Sequence, residues 1–119
     1  MVVLLFGRLI LIVQKQWAIA RDLALAFETK GARVLSARDA VVGLELAYGP
    51  DLAAAVLDSD SEQLCRLLDE KQIPCVVHSG SEQLDDACAG AIVILKPANT
   101  ETVVASVEHL LGQRDHAPH

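Results

Sequence analysis

The sequence predicts a doubly wound α/β domain: a five-stranded parallel sheet with helices on both faces. Three observations carry that expectation. Five short runs of Val, Leu, Ile and Ala recur along the chain, continuous rather than alternating, as strands covered on both faces are. Segments with a helical period lie between them, and alternating strands and helices give a layered α/β sandwich. At 119 residues the chain is one domain, long enough to bury a core without staples.

The strands are read at 9–13, 33–37, 52–57, 75–78 and 91–95. Ile19, Leu23, Ala26 and Phe27 share one face of a first helix, and Gly31 sits where a C-terminal cap belongs. Shorter helices are expected near 40–47, 63–70 and 82–88. In the last of these segments but one, Asp60 and Gln63 have the spacing of a capping box. A final helix carries Val103, Val104, Val107, Leu110 and Leu111 on one stripe behind an Asn99 cap. The chain therefore divides into an apolar lead-in (1–7), expected to find some burial, a domain (8–112) and a disordered tail (113–119).

Composition narrows the function. Aromatics are 3% of the residues, too few for a platform on which nucleic-acid bases stack. The net charge is −6 with no basic cluster, which disfavours nucleic acid and anionic membranes as partners. The run "MVVLLFGRLILIV" is too short to span a bilayer and is broken by Gly7 and Arg8. Cys65, Cys75 and Cys88 are odd in number and lack a CxxC spacing, so neither a disulfide framework nor a zinc site is suggested. A reduced, cytoplasmic setting follows.

In doubly wound folds ligands sit at the carboxyl ends of the strands. Those ends read Gln14-Lys15-Gln16 on the first strand, Asp58 on the third, His78-Ser79-Gly80 on the fourth and Lys96-Pro97 on the fifth. Asp58, Ser79 and Lys96 together suit an acyl phosphate: a carboxylate attacks a phosphoryl group, a hydroxyl bonds one of its oxygens and an ammonium neutralises another. Trp17 is expected to pack at the start of the first helix, beside this pocket.

With these residues in place the chain resembles the receiver domain of two-component response regulators, a flavodoxin-like fold. The likeness rests on "LILIV" (9–13), "DLAAAVLDSD" (51–60), "IPCVVHSG" (73–80) and "ILKPANTETVV" (94–104). The resemblance implies that Asp58 is the phosphoryl acceptor, Ser79 the switch hydroxyl and Lys96 the phosphate-contacting lysine, with a commonly cis bond before Pro97 helping to aim it. It implies a non-enzymatic role in signal transduction. The partner would be a histidine kinase, a phosphotransfer protein or a regulator, or a second copy docking through the fourth helix, fifth strand and fifth helix.

The chain departs from that family in four places. Receivers end their first strand in an acidic pair that holds Mg²⁺; here the pair is Gln14 and Lys15. Formal charges of Lys15 and Lys96 against Asp58 leave the pocket at about +1, or about zero if Asp60 turns inward, whereas Mg²⁺ needs oxygen ligands and a negative site. No cofactor is expected, and Mg²⁺ at most weakly, through Asp58 and Asp60. A Lys15–Asp58 ion pair is expected in the metal's place; at ~4 Å and an effective dielectric of ~20 it is worth roughly 4 kcal/mol before desolvation. Val93 stands where the family carries a switch aromatic, the stretch from Asp58 to Ser79 is short, and Ala98 follows Lys-Pro.

Three functions are then open. The first is a stand-alone atypical receiver acting by protein–protein interaction without Mg²⁺-dependent phosphorylation. The second is a working phosphoacceptor in which Lys15 replaces the metal's charge. The third is a small phosphatase of the haloacid dehalogenase type, suggested by "VLDSDS". Against the third, that motif normally lies on a first strand, and here two strands precede it.

Overall fold

The structure is a computed structural model that describes residues 5–58, 62–79, 92–95 and 99–115. Its elements run β1 (Leu9–Val13), α1 (Trp17–Thr29), β2 (Arg33–Ala37), α2 (Ala40–Ala47), β3 (Leu52–Leu57), α3 (Glu62–Glu70), β4 (Cys75–Ser79), β5 (Ile92–Leu95) and α4 (Thr100–Asp115). The strands form one sheet in the order β2-β1-β3-β4-β5, and every pair is parallel. β1, β2 and β3 begin and end at the expected residues, because each continuous aliphatic run is a strand buried on both faces or, for β2, on the sheet edge. The edge position of β2 explains its exposed Arg33 and Ser36, polar groups that blunt further pairing. The short helix expected at 82–88 lies outside the described residues.

Alternation along the strands builds two cores. Ile10, Ile12, Ala54, Val56 and Val76 face α1 and α4, where they meet Leu23, Phe27, Val103, Val104, Val107 and Leu111. Leu11, Val13, Ala55, Leu57 and Val77 face the opposite way, against Ala47 of α2 and Leu64, Cys65 and Leu68 of α3. At Gly43 α2 approaches β1 so closely that a Cβ would lie 2.7 Å from Val13 Cγ2. The lead-in finds burial in part: Leu5 is fully buried in the first core, while Phe6 is exposed and packs over Gly31.

The helix ends follow the local chemistry. Gly31 closes α1 at φ +88°, a conformation that suits glycine, and its N–H donates to the Glu28 carbonyl at 2.9 Å. Asp39 caps α2 by accepting from the Val42 N–H at 3.0 Å. Asn99 Oδ1 caps α4, accepting from the Thr102 N–H and the Thr102 hydroxyl at 2.8 Å each. The Asp60–Gln63 capping box cannot be followed, as Asp60 lies outside the described residues. α4 runs on to Asp115, three residues into the stretch that the sequence suggested was unstructured. Leu111, 2% exposed in the core, carries the helix past Gly112.

Lys71 joins the far end of α2 to the loop after α3. Its Nζ donates to the Ala47 carbonyl at 2.6 Å and to the Gly49 carbonyl at 3.0 Å, a cation on carbonyls left open at a helix C-terminus. Lys71→Met keeps the aliphatic stem and removes both bonds. It is expected to lower unfolding stability by about 1 kcal/mol. Urea denaturation measures this, and an unchanged midpoint would show that the clamp contributes nothing.

Candidate functional site

α1 crosses one face of the sheet from β1 to β2, and α2 crosses the other on the way back to β3, so the strand order reverses at the β1–β3 pair. A crevice opens at the carboxyl ends of such a pair. The residues there are Gln14, Lys15 and Asp58. Two main-chain bonds align them: the Gln14 N–H donates to the Ala37 carbonyl and the Asp58 N–H to the Val13 carbonyl, both at 2.9 Å. Alternation sets Gln14 and Asp58 side by side, continuing the face of Ile12 and Val56.

Lys15 reaches Asp58 through its main chain. Its N–H donates to Asp58 Oδ2 at 3.1 Å, while its side chain is exposed. This corrects the ion pair expected from the sequence. Lys15 follows a buried strand, but the turn into α1 aims its amide, not its ammonium, at the carboxylate. A long, solvated side chain also gains little from being fixed at a surface pair. Asp58 is partly exposed.

Gln14 is the buried polar residue of the site, 3% exposed. Its Oε1 accepts from the Gln16 N–H at 3.2 Å and so closes the turn that leads into α1. In the sequence Gln14 reads only as a lost acid; its part in shaping the turn leaves no motif. Strand alternation, which sets position 14 on the inward face of Ile10 and Ile12, is the one signal that pointed to its burial.

Of the other expected site residues, Ser79 ends β4, where its main chain pairs with Leu95 of β5. Lys96, Pro97 and Asp60 lie outside the described residues. Trp17 is the first residue of α1, as expected beside the crevice, but it is 72% exposed instead of packed. The Arg21 guanidinium, one turn along the helix, covers its ring at 5.8 Å.

The cysteines differ from the expectation as well. Cys65 is disulfide-bonded and Cys75 is free. Spacing along the chain, which shows no CxxC, carries no information on which thiols a fold brings together. Burial, and then the charge of Asp69, push the Cys75 thiol up to about 11. That shift favours the thiol over the nucleophilic thiolate at neutral pH.

Mg²⁺, which the receiver likeness implies, does not fit these residues. Of the three side chains, Lys15 brings an ammonium, Gln14 has its oxygen turned to the Gln16 N–H, and Asp58 alone brings a carboxylate. No group of three or more His, Cys, Asp or Glu among the described residues is placed to hold a metal ion. No helix among them is long and apolar enough to cross a membrane.

No protein-family model and no curated protein matches the chain. Solved structures do. A CheY-like response regulator receiver domain protein of Methanospirillum hungatei matches with a TM-score of 0.82 at 22% identity, over 94% of this chain and 99% of that one. The receiver domain of a sensor histidine kinase from Pseudomonas aeruginosa, with magnesium coordinated in its active-site cleft, matches with a TM-score of 0.73 at 16% identity, over 89% and 98%. CheY of Borrelia burgdorferi, solved with CheX, BeF₃ and Mg²⁺, matches with a TM-score of 0.69 at 23% identity, over 88% and 90%. The chain therefore has the fold of the response-regulator receiver domains, over nearly its whole length.

Proposed function

We propose that the protein is an atypical receiver that takes part in two-component-type signalling by binding another protein, without Mg²⁺-dependent phosphorylation. The observation that carries this reading is the make-up of the crevice: buried Gln14 and exposed Lys15 stand at the end of β1 beside Asp58, which alone of the three brings a carboxylate. In a metal-dependent receiver the carboxylate at this end of the third strand faces a cation held by an acidic pair; here a carboxamide and an ammonium take that pair's place. The Pseudomonas receiver, with its magnesium ion, marks what the substitution gives up. Output by docking is supported by the Borrelia protein of the same fold, solved in complex with CheX. The partner we propose is a histidine kinase, a phosphotransfer protein or a regulator, or a second copy docking on the face made by the fourth helix read from the sequence near 82–88, β5 and the final helix α4. The module would be a binding partner and not a catalyst.

A second reading has its own support: Asp58 is partly exposed, and so open to a phosphodonor. In that reading the Lys15 ammonium, on an exposed side chain that can turn inward, supplies the charge that a metal would bring to a phosphoryl group.

Intact mass after exposure to acetyl phosphate separates the two, run with Mg²⁺, with chelator and on Asp58→Asn. The binding-module reading expects no phosphoryl adduct in any arm. An adduct that requires Asp58 and survives chelation would establish the second reading. An adduct that requires both Asp58 and Mg²⁺ would contradict both.

A further inference from the structure

The first turn of α1 carries hydrogen-bond donors that neither reading uses. α1 starts at Trp17 behind Gln16, and no side chain caps it. Its first intrahelical bond runs from the Ala20 N–H to the Gln16 carbonyl at 3.0 Å. The amides of Trp17, Ala18 and Ile19 therefore leave the helix end without intrahelical acceptors, at the positive end of the helix dipole.

The Gln14 carboxamide lies against this end, held there by its bond to the Gln16 N–H. Its oxygen is engaged, yet among the described residues nothing accepts from its Nε2–H₂, although the side chain is only 3% exposed. A buried amide donor without an acceptor is costly, and the few that persist call for a specific partner. Every such group at this point is a donor: three backbone N–H groups, one buried carboxamide and, next in sequence, the Lys15 ammonium.

Charge around the turn agrees with an anionic ligand of low affinity. Lys15 and Arg21 offset Asp58 and Asp22, so the helix dipole and the donors decide the sign of the preferred ligand. The Lys15 N–H holds the Asp58 carboxylate on the β3 side of the turn.

We propose that the N-terminus of α1, with Gln14 Nε2 and Lys15, binds a small tetrahedral oxyanion of the phosphate class. The site is distinct from covalent phosphorylation: it needs no bond to Asp58 and stands whichever reading of Asp58 holds.

The test is a titration of the ¹⁵N-labelled full chain with inorganic phosphate, at fixed pH and with ionic strength held constant by NaCl to keep screening equal. Saturable shifts are expected for the amides of Trp17, Ala18 and Ile19 and for the Gln14 side-chain NH₂, with a dissociation constant on the order of 1 mM. Gln14→Glu keeps an acceptor for the Gln16 N–H but replaces the donor with a carboxylate, and should weaken binding about tenfold or more. Lys15→Gln, at an exposed position that folding tolerates, should weaken it about threefold. Asp58→Asn should bind as tightly as the native chain or tighter. Shifts that do not saturate, that centre elsewhere, or that persist unchanged in both the Gln14 and Lys15 variants would overturn the proposal. Loss of binding in Asp58→Asn would overturn it too, by making Asp58 itself the point of attachment. The mass experiment on Asp58 reads a covalent adduct and is blind to this equilibrium, so the two proposals fail separately.

Discussion

Phe27→Ala should lower the free energy of unfolding by about 3–5 kcal/mol. Phe27 is fully buried and stands among the largest side chains of the first core, where it meets the sheet, α4 and the lead-in residue Leu5. Removing its ring forfeits the transfer energy of the aromatic and leaves a cavity lined by stiff aliphatic residues that cannot collapse into it. Against a total stability of about 5–15 kcal/mol for a domain, that is a large fraction. The urea midpoint should fall by at least about 1 M, with the slope nearly unchanged. A loss below about 1 kcal/mol would mean that α1 does not close on this core as described.

The second large effect is expected at the site. The double variant Gln14→Asp, Lys15→Asp removes one positive and adds two negative formal charges beside Asp58. Three carboxylates at the ends of β1 and β3 give a hard cation the oxygens that the native residues withhold. An aspartate at position 14 can still accept from the Gln16 N–H as an Asx turn, so the entry into α1 is kept. Mg²⁺ affinity should rise by about a hundredfold or more over the native chain. Lys15→Asp alone should fall between the two. Emission of Trp17, the one tryptophan in the chain and the first residue of α1, reports the change. If the double variant gains nothing, the geometry of the turn and not its charge is what excludes the metal.

The fold was legible because its signal is carried by side chains. β1 reads "LILIV" and β3 "LAAAVL", and such runs are strands under almost any packing that covers both faces. The caps were legible for the same reason: Asn99 and Gly31 act through their own chemistry. The end of α4 was not. Gly112 reads as a stop, yet a glycine inside a helix costs only about 1 kcal/mol relative to alanine, and Leu111 packing outweighs it.

The site divides along the same line. That Gln14, Lys15 and Asp58 meet followed from strand order and the carboxyl-end rule. How they meet did not, since the contact between Lys15 and Asp58 is made by a main-chain amide, which any residue but proline would offer. An ion pair was the natural reading of a lysine and an aspartate; the turn geometry that replaces it has no sequence signature. The exposure of Trp17 was hidden similarly, because the first residue of a helix belongs to neither the apolar nor the polar stripe until the preceding turn is fixed.

On the function proposed above, a receiver fold carries here a site that does not recruit Mg²⁺. Titrating the native chain with MgCl₂ at constant ionic strength, followed by Trp17 emission and by the Lys15 amide resonance, tests it most directly. No saturable change is expected in either signal into the tens of millimolar (about 2–3 kcal/mol of binding at most), with the Lys15 amide unmoved on Asp58. Saturation at low millimolar Mg²⁺, with the Lys15 amide shifting in step, would contradict it.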